Sequence, residues 1–569
     1  MKNCMNTRVI AVVLMLAMLL CMVACRTPAE ENSPDTPSTD TPGTDTPGVE
    51  TPGDQPDINA PAKTESERDY TVVEGTALHP SYTADTPAEL AEAVNRYMTC
   101  AEEILMEGDV TTFQYGGMYR ESIHLPTDAV MVYAWHPSMA EELLTDWRAH
   151  ANEYSLHMMT IMNRAGSDWL ERDSDHVDAI QVDKNGNRFV HSGTGDSTVY
   201  YLVPTEQWIE YVWEIVTTAM ETAPLDVIVF EEPDMWHASG YSAAFKDEWE
   251  DYYGEDWEDQ TSSPEAMYKS MRLKVHLIDR LMTEIADRMA IEYPDTKLYL
   301  ASHSTNSYNS IGIASGLNHY INSGIYDGLI GQTWTDTAGV GLMQNGAEIR
   351  YPYMMAALEY ASYAQTAGDG MFYALADPVG DGITKGRTED EYYEKYFATV
   401  VAQLMQPEIN RYEVMPWPNR CFEKGSPEYR MVQLNVIAAV IEASGKAATV
   451  SAGTPGITYL ISDSHSWQLS PDEKWALNSE SGLLGVTLPL LTDGIPLKVG
   501  AMEMIDGPED LEDIELLLLS FDCQKPLDES VCRAIADWIL DGGTCLYVGG
   551  HDRFEESEYE WWAEYGSPL

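Results

Sequence analysis

The segment DVIVFEEPDMW, residues 226–236, sets two carboxylates, Glu231 and Glu232, directly behind four apolar residues. An apolar run without polar alternation reads as a strand buried on both faces. The pair therefore falls at the strand's end, and the pleat sends the two side chains to opposite sides. Neighbouring carboxyl groups can do acid/base chemistry when one is kept protonated by burial or by its partner's charge. Seven further runs end in the same way: TTFQYGG (111–117), AVMVYAWH (129–136), HMMTIMNRAG (157–166), KLYLASHS (297–304), YDGLIGQTW (326–334), GMFYALADP (370–378) and RYEVMPWP (411–418). At or just past these ends stand Gln114, Tyr115, Trp135, His136, Asn163, Arg164, Asp234, His303, Gln332, Trp334, Asp336, Asp377, Trp417 and Asn419. Singly, each could be an ordinary loop entry; as a ring they point to a pocket.

The runs alternate with helical patterns. Residues 87–106 are amphipathic, with Thr86 as cap and Pro87 at the first position. Ser263 caps a helix over 264–292 that opens on Pro264, and Thr388 with Glu391 forms a capping box for 389–405. A helix over 428–444 closes the series. Eight strands each followed by a helix predict a (β/α)8 TIM barrel, whose active sites collect at the C-terminal strand ends. An open, doubly wound sheet is the alternative. Lys184-Asn185-Gly186-Asn187 marks a hairpin inserted after the third strand.

Composition narrows the function. A formal charge of −60 repels nucleic acid and anionic headgroups, so nucleic-acid binding is the role least expected, although acidity alone names no substrate. Fifteen Trp and 33 Tyr against 9 Phe favour flat apolar faces with polar tips, which suit sugar rings. H-E-x-x-H, G-x-S-x-G and phosphate-loop motifs are absent from the sequence, and no cofactor or metal is called for. Cys100, Cys421, Cys523, Cys532 and Cys545 form no CxxC pair and read as buried thiols.

The fourth run resembles the strand end of barrel-type retaining glycoside hydrolases, in which Asn-Glu-Pro or a close variant carries the general acid/base. On that pattern Glu232-Pro233 matches Glu-Pro, and Glu231 stands where the family has Asn. GYSAAFKDEWEDYYGEDW (240–257) is similar to the helix and insertion that follow in β-galactosidase-like members. The resemblance implies Glu232 as acid/base and a second carboxylate on the seventh strand. That strand offers Asp377 where the family has Glu, with Asp336 as a second candidate. It leaves open which of Glu231 and Glu232 is the acid, and whether the outcome is retaining or inverting. The implied substrate is an oligo- or polysaccharide, held by Trp135, Trp334 and Trp417 as stacking faces and by His136, Asn163, Gln332, Glu231 and Asp336 as polar contacts. The competing expectation, supported by the missing seventh-strand Glu, is a catalytically inactive glycan-binding protein.

From about Gly456 a new alternation begins, predicting a small three-layer α/β domain. LDESVCRAIADWILDGGTCLYVGG resembles the glutamine-amidotransferase-like domain that follows the barrel in trimerising β-galactosidases. Cys545 lies inside a strand and not on an elbow, so no glutaminase activity is expected, and the resemblance implies a role in assembly, hence a homo-oligomer, or in walling the barrel mouth. EYEWWAEYGSPL stops where such domains continue into another helix. At the other end, Lys2 and Arg8 precede an apolar run to Ala24, the pattern of a signal peptide. Met22-Val23-Ala24-Cys25 resembles the bacterial lipobox, which implies lipidation of Cys25, a membrane anchor and an extracytoplasmic protein; an uncleaved apolar anchor is the alternative. The Thr/Pro-rich stretch that follows has no apolar face to bury and reads as a disordered tether. The expected organisation is residues 1–24 signal peptide, 25–66 tether, 67–450 barrel and 451–569 α/β domain.

Overall fold

In the computed structural model the described residues are 111–115, 129–148, 156–191, 198–223, 225–334, 341–344, 347–350, 352–368, 371–377, 388–406, 409, 411–413, 436, 456–469, 482–549, 554, 557 and 559–568. The signal peptide, Cys25, the tether, the helices at 87–106 and 428–444, Asp336, Trp417 and Asn419 lie outside them, as do the side chains of Gln114, Tyr115, Trp334 and Asp377.

Eight parallel strands close into a barrel: β1 Thr111–Tyr115, β2 Ala129–Tyr133, β3 Leu156–Met162, β4 Val227–Glu231, β5 Lys297–His303, β6 Gly328–Trp334, β7 Met371–Asp377 and β8 Arg411–Glu413. They pair in sequence order, and β8 returns to β1 through the register Thr111↔Arg411. All eight apolar runs are thus strands, and the doubly wound alternative falls because the sheet has no edge.

Strand parity separates two cores. Tyr133, Met158, Val227, Val229, Tyr299, Ala301, Ile330 and Tyr373 fill the lumen. Ile161, Ile228, Phe230, Leu300, Leu329 and Phe372 face the outer helices. Those helices are α1 Pro137–Arg148, α2 Glu206–Thr222, α3 Ala243–Tyr253, α4 Pro264–Glu292, α5 Pro352–Ala367 and α6 Glu389–Leu404. The caps work as expected: Ser263 accepts from the amide of Ala266 at the head of α4, and Thr388 with Glu391 forms the full capping box of α6. Gly331 in β6 lets α5 approach closely, because a Cβ there would stand 2.8 Å from the Tyr363 ring.

A second sheet follows, with β9 Ile457–Ile461, β10 Lys498–Ala501, β11 Leu516–Leu519 and β12 Cys545–Tyr547 all parallel in the order β10-β9-β11-β12. Helix α7, Leu483–Thr492, covers one face and α8, Glu529–Leu540, the other. One barrel helix also joins these layers. Leu358 and Ala361 of the barrel helix α5 pack into the same cluster as Tyr459, Leu484 and Val499, so α5 serves both sheets. Residues 72–569 form one compact unit. Cys523, Cys532 and Cys545 are half-buried, more accessible than the buried thiols expected.

Candidate active site at the barrel mouth

The side chain of Glu231 continues the parity of Val227 and Val229 and enters the lumen, where it is 3 % exposed. Its Oε1 accepts from Nε2 of Gln332 on β6 at 3.1 Å, and the Tyr133 hydroxyl of β2 also reaches this carboxyl. Glu232 does not go to the opposite side, as strand alternation predicts. Its amide still donates to the carbonyl of Ala301 at 2.8 Å, but its φ is +44°, in the left-handed region that a side chain with a Cβ adopts only under strain. The pleat is broken there, and the carboxylate stays at the rim between β3 and β5.

At the rim Glu232 meets a buried cation. Arg164, two residues past β3 and 1 % exposed, donates from Nη2 to Oε2 of Glu232 at 2.6 Å and to Oδ2 of Asp234 at 2.9 Å. Its Nη1 lies 2.8 Å from Nε2 of His191, and its guanidinium stacks 4.7 Å from the Tyr201 ring centroid. Nε2 of His303, the last residue of β5, lies 3.3 Å from the other oxygen of Glu232. An ionised carboxylate only accepts, so His303 must carry its proton on Nε2.

This arrangement sets the charges apart. Burial raises Glu232, but the Arg164 charge and the His303 hydrogen bond outweigh it and hold the carboxyl below the ordinary glutamate range. Burial, and then the charge on Glu232, push Glu231 up to about 8. Asp234 is likewise raised, to about 7, by burial against the opposing pull of Arg164. Burial and the Arg164 charge bring His191 down to about 3, so it stays neutral and accepts from the arginine. Near neutrality the rim thus holds one carboxylate beside one protonated carboxyl, the difference that acid/base chemistry requires. The polarity is opposite to that implied by the family pattern: Glu232, the expected acid/base, is the ionised group.

The other expected contacts divide. Trp135 stays at the rim, its ring 5.5 Å from that of His191. Gln332 is engaged with Glu231. His136 instead caps α1, its Nδ1 accepting from the amide of Met139 at 3.1 Å and lying 2.8 Å from the Ser138 hydroxyl. Asn163 is turned beneath the strand ends, donating to the carbonyls of Leu202 at 2.8 Å and Asp234 at 3.4 Å. Trp334 and Asp377 close β6 and β7, paired in register. Arg164, Asp234 and His303 were visible as strand-end residues, but nothing in the sequence marked them as the hub. His191 and Tyr201 come from the insertion after β3, whose hairpin turns at Gly186 (φ +79°) with Asp183 accepting from the amides of Asn185 and Asn187.

A carboxyl whose folded pKa lies above its unfolded value supports folding fully below the unfolded value, about 4.3 for Glu, and loses that support as pH rises through the folded one. Wild-type stability should therefore fall between about pH 4.3 and the raised value of Glu231. Glu231→Gln removes that slope, so melting temperatures from pH 5 to 9 should show the variant gaining on wild type towards the alkaline end.

No protein-family model matches the sequence, and no curated protein matches it. Solved structures do share its architecture. The β-galactosidase of the Antarctic haloarchaeon Halorubrum lacusprofundi superposes with a TM-score of 0.54 at 12 % identity, over 77 % of this chain and 72 % of that one. The β-galactosidase of the psychrophilic Marinomonas ef1 gives 0.53 at 10 % identity, over 77 % and 75 % of the two chains. The α-L-fucosidase isoenzyme 2 of Paenibacillus thiaminolyticus gives 0.50 at 12 %, over 75 % and 59 %. At these identities the likeness is one of fold: the chain is built as barrel glycoside hydrolases are.

Proposed function

We propose that this chain is a glycoside hydrolase acting on an oligo- or polysaccharide. The observation that carries the reading is the pair of carboxyls at the end of β4, Glu231 enclosed in the lumen against Gln332 and Glu232 held against Arg164 and His303, a difference in surroundings that drives their pKa values apart. Hydrolysis of a glycosidic bond needs such a division, one group giving a proton to the leaving oxygen and an ionised one acting as nucleophile or base. Glu231 supplies the proton in this reading and Glu232 the negative charge, with Asp377 at the end of β7 the reserve second carboxylate. Trp135 offers an apolar face to the sugar ring. The barrel fold shared with β-galactosidases and a fucosidase supports the reaction class and leaves the sugar open.

The test is release of 4-nitrophenol from a panel of 4-nitrophenyl glycosides, β-galactoside and α-fucoside included, by the purified chain. Turnover by wild type that a Glu231→Gln/Glu232→Gln double variant loses supports hydrolysis. Saturable glycan binding with no turnover would favour the glycan-binding alternative, whose motivation is an Asp at the end of β7 in place of the family's Glu.

The same proposal includes the cellular setting: export by the N-terminal signal, a lipid on Cys25 and a tether that holds the barrel off the membrane. Radiolabelled palmitate should enter wild-type protein in a bacterial host and be absent from Cys25→Ala; equal labelling of both would remove the anchor from this reading. The C-terminal sheet is read as the glutamine-amidotransferase-like domain of the β-galactosidase architecture, without its chemistry.

A further inference from the structure

The segment Ser462–Gln468 follows β9 of the second sheet and is bonded there through Ser462, Ser464 and Ser466 to Glu503, Lys525 and Cys523, while the side chain of Asp463 reaches into the barrel. Asp463 is fully buried. Its Oδ1 accepts from the Thr305 hydroxyl at 2.9 Å, from Nδ2 of Asn318 at 2.8 Å and from the amide of Asn318 at 3.2 Å, and its Oδ2 accepts from the amide of His319 at 2.8 Å. All four donors belong to the excursion that the chain makes after β5. Two residues before Thr305 is His303, which holds Glu232. Three residues after it is Tyr308, whose ring lies 4.9 Å from that of His303 and whose buried hydroxyl feels the charge of Asp234. Asn318 in turn accepts from Thr366 of α5 at 2.7 Å, so the anchored excursion is tied to the barrel wall as well.

We propose that Asp463 is a positioning residue for the barrel mouth: a carboxylate of the second sheet pins the segment after β5 and thereby holds His303 and Tyr308 against Glu232 and Asp234. The placement is over-determined. Glu503, just beyond β10, accepts from the Asp463 amide at 3.0 Å and from the Ser462 hydroxyl at 2.7 Å, fixing the anchor from behind. Its own carbonyl accepts from Nδ2 of Asn322 at 2.8 Å, a second tie to the same excursion. The titratable groups facing Asp463 are Glu503 and His319, with Asp279 of α4 3.6 Å from the His319 ring. Burial raises both carboxyls, and the charge on Asp463 raises Glu503 further. The four donors on Asp463 oppose that rise. A fully buried carboxyl that accepts from four donors is geometrically exacting. The positioning role rests on the hydrolase reading for its effect on turnover, but the anchoring itself does not.

The experiment uses the full-length chain in wild-type, Asp463→Asn, Thr305→Val and Thr305→Ser forms. Asparagine puts an amide where only acceptors fit; valine deletes one donor and serine retains it. On the 4-nitrophenyl glycoside that wild type hydrolyses, Asp463→Asn and Thr305→Val should each lose kcat by about 10–100-fold, the size expected when a reacting group is displaced by an ångström. KM should change less than threefold, and the acid limb of the pH profile should move upward as His303 loosens from Glu232. Thr305→Ser should restore most of the rate, and an Asp463→Asn/Thr305→Val double variant should lose less than the two single losses combined, since one change removes the acceptor for His319 and the other a donor to the same anchoring side chain. Folded variants with unchanged kcat and an unchanged pH profile would overturn the proposal. If Asp463→Asn does not fold, the two Thr305 variants decide the same question. If wild type releases no nitrophenol, the hydrolase reading fails and the anchor is judged by amide hydrogen exchange: residues 303–311 should exchange faster in Thr305→Val than in wild type, and equal protection would overturn it.

Discussion

Glu232→Gln should lower kcat by about 10²–10⁴-fold, the range measured for removal of a group that moves or stabilises charge in the transition state. The side chain keeps its size, so the loss should come from charge. Arg164 retains Asp234 at 2.9 Å as counter-ion, and the variant should therefore fold. The pH profile of wild type carries the second half of the expectation. Activity should fall on the acid side as Glu232 takes up a proton and on the alkaline side as Glu231 loses its own, giving a bell whose limbs belong to two adjacent residues of one strand. Steady-state rates from pH 3 to 10 check the alkaline limb, while on the acid side the rate should hold to pH values below the ordinary glutamate range. A loss below tenfold in the variant would remove Glu232 from the chemistry and bring Asp377 forward.

Arg164→Met is expected to be the most damaging single change to the fold at the mouth. Methionine fills much of the space but leaves Glu232 and Asp234 buried without their cation, and breaking a buried pair by removing one partner typically costs about 3–5 kcal/mol. The pH dependence has a definite sign. The pKa of Glu232 in the folded protein is held below its unfolded value, so the stabilisation from Arg164 is present above about pH 4.3 and lost as pH falls through the depressed value. The gap between wild type and variant should be widest near neutrality and narrow on acidification, as urea unfolding at pH 7 and pH 3 can show. Equal gaps at both would mean that the arginine acts through its packing on Tyr201 and not through charge. In surviving activity, the acid limb should move upward, because Glu232 no longer has a cation to favour its anion.

The barrel could be read from the chain because strands buried on both faces are written as unbroken apolar runs, and all eight lie where those runs stand. The capped ends of α4 and α6 were legible for the same local reason: Ser263, Thr388 and Glu391 satisfy amides only a few residues away. The site was legible in place but not in arrangement. A residue before proline is normally pushed towards extended backbone, so Glu232 ahead of Pro233 promised an ordinary strand end facing away from Glu231. Its left-handed backbone is imposed by Arg164, His303 and the Ala301 carbonyl, none of them near in sequence. Asn163 and His136 misled for the opposite reason, since polar side chains at strand ends also satisfy backbone groups, and both do so here. His191 and Tyr201 sit in an insertion whose own pairing brings them back to Arg164, a return that no local pattern encodes.

Helix α5 belongs to two structures at once. Tyr360 and Tyr363 face β6 and β7 of the barrel, while Leu358 and Ala361 face β9 and β10 of the second sheet. Genes exchange such units as modules only where a seam runs between them, and here the seam passes through the middle of a helix. A chain cut after β8 would bare the Leu358 face to water, and the second sheet made alone would lose the part of the α7 layer that α5 supplies. The two should melt in a single calorimetric transition and be inherited together, with the loops of the barrel mouth left as the part free to diverge.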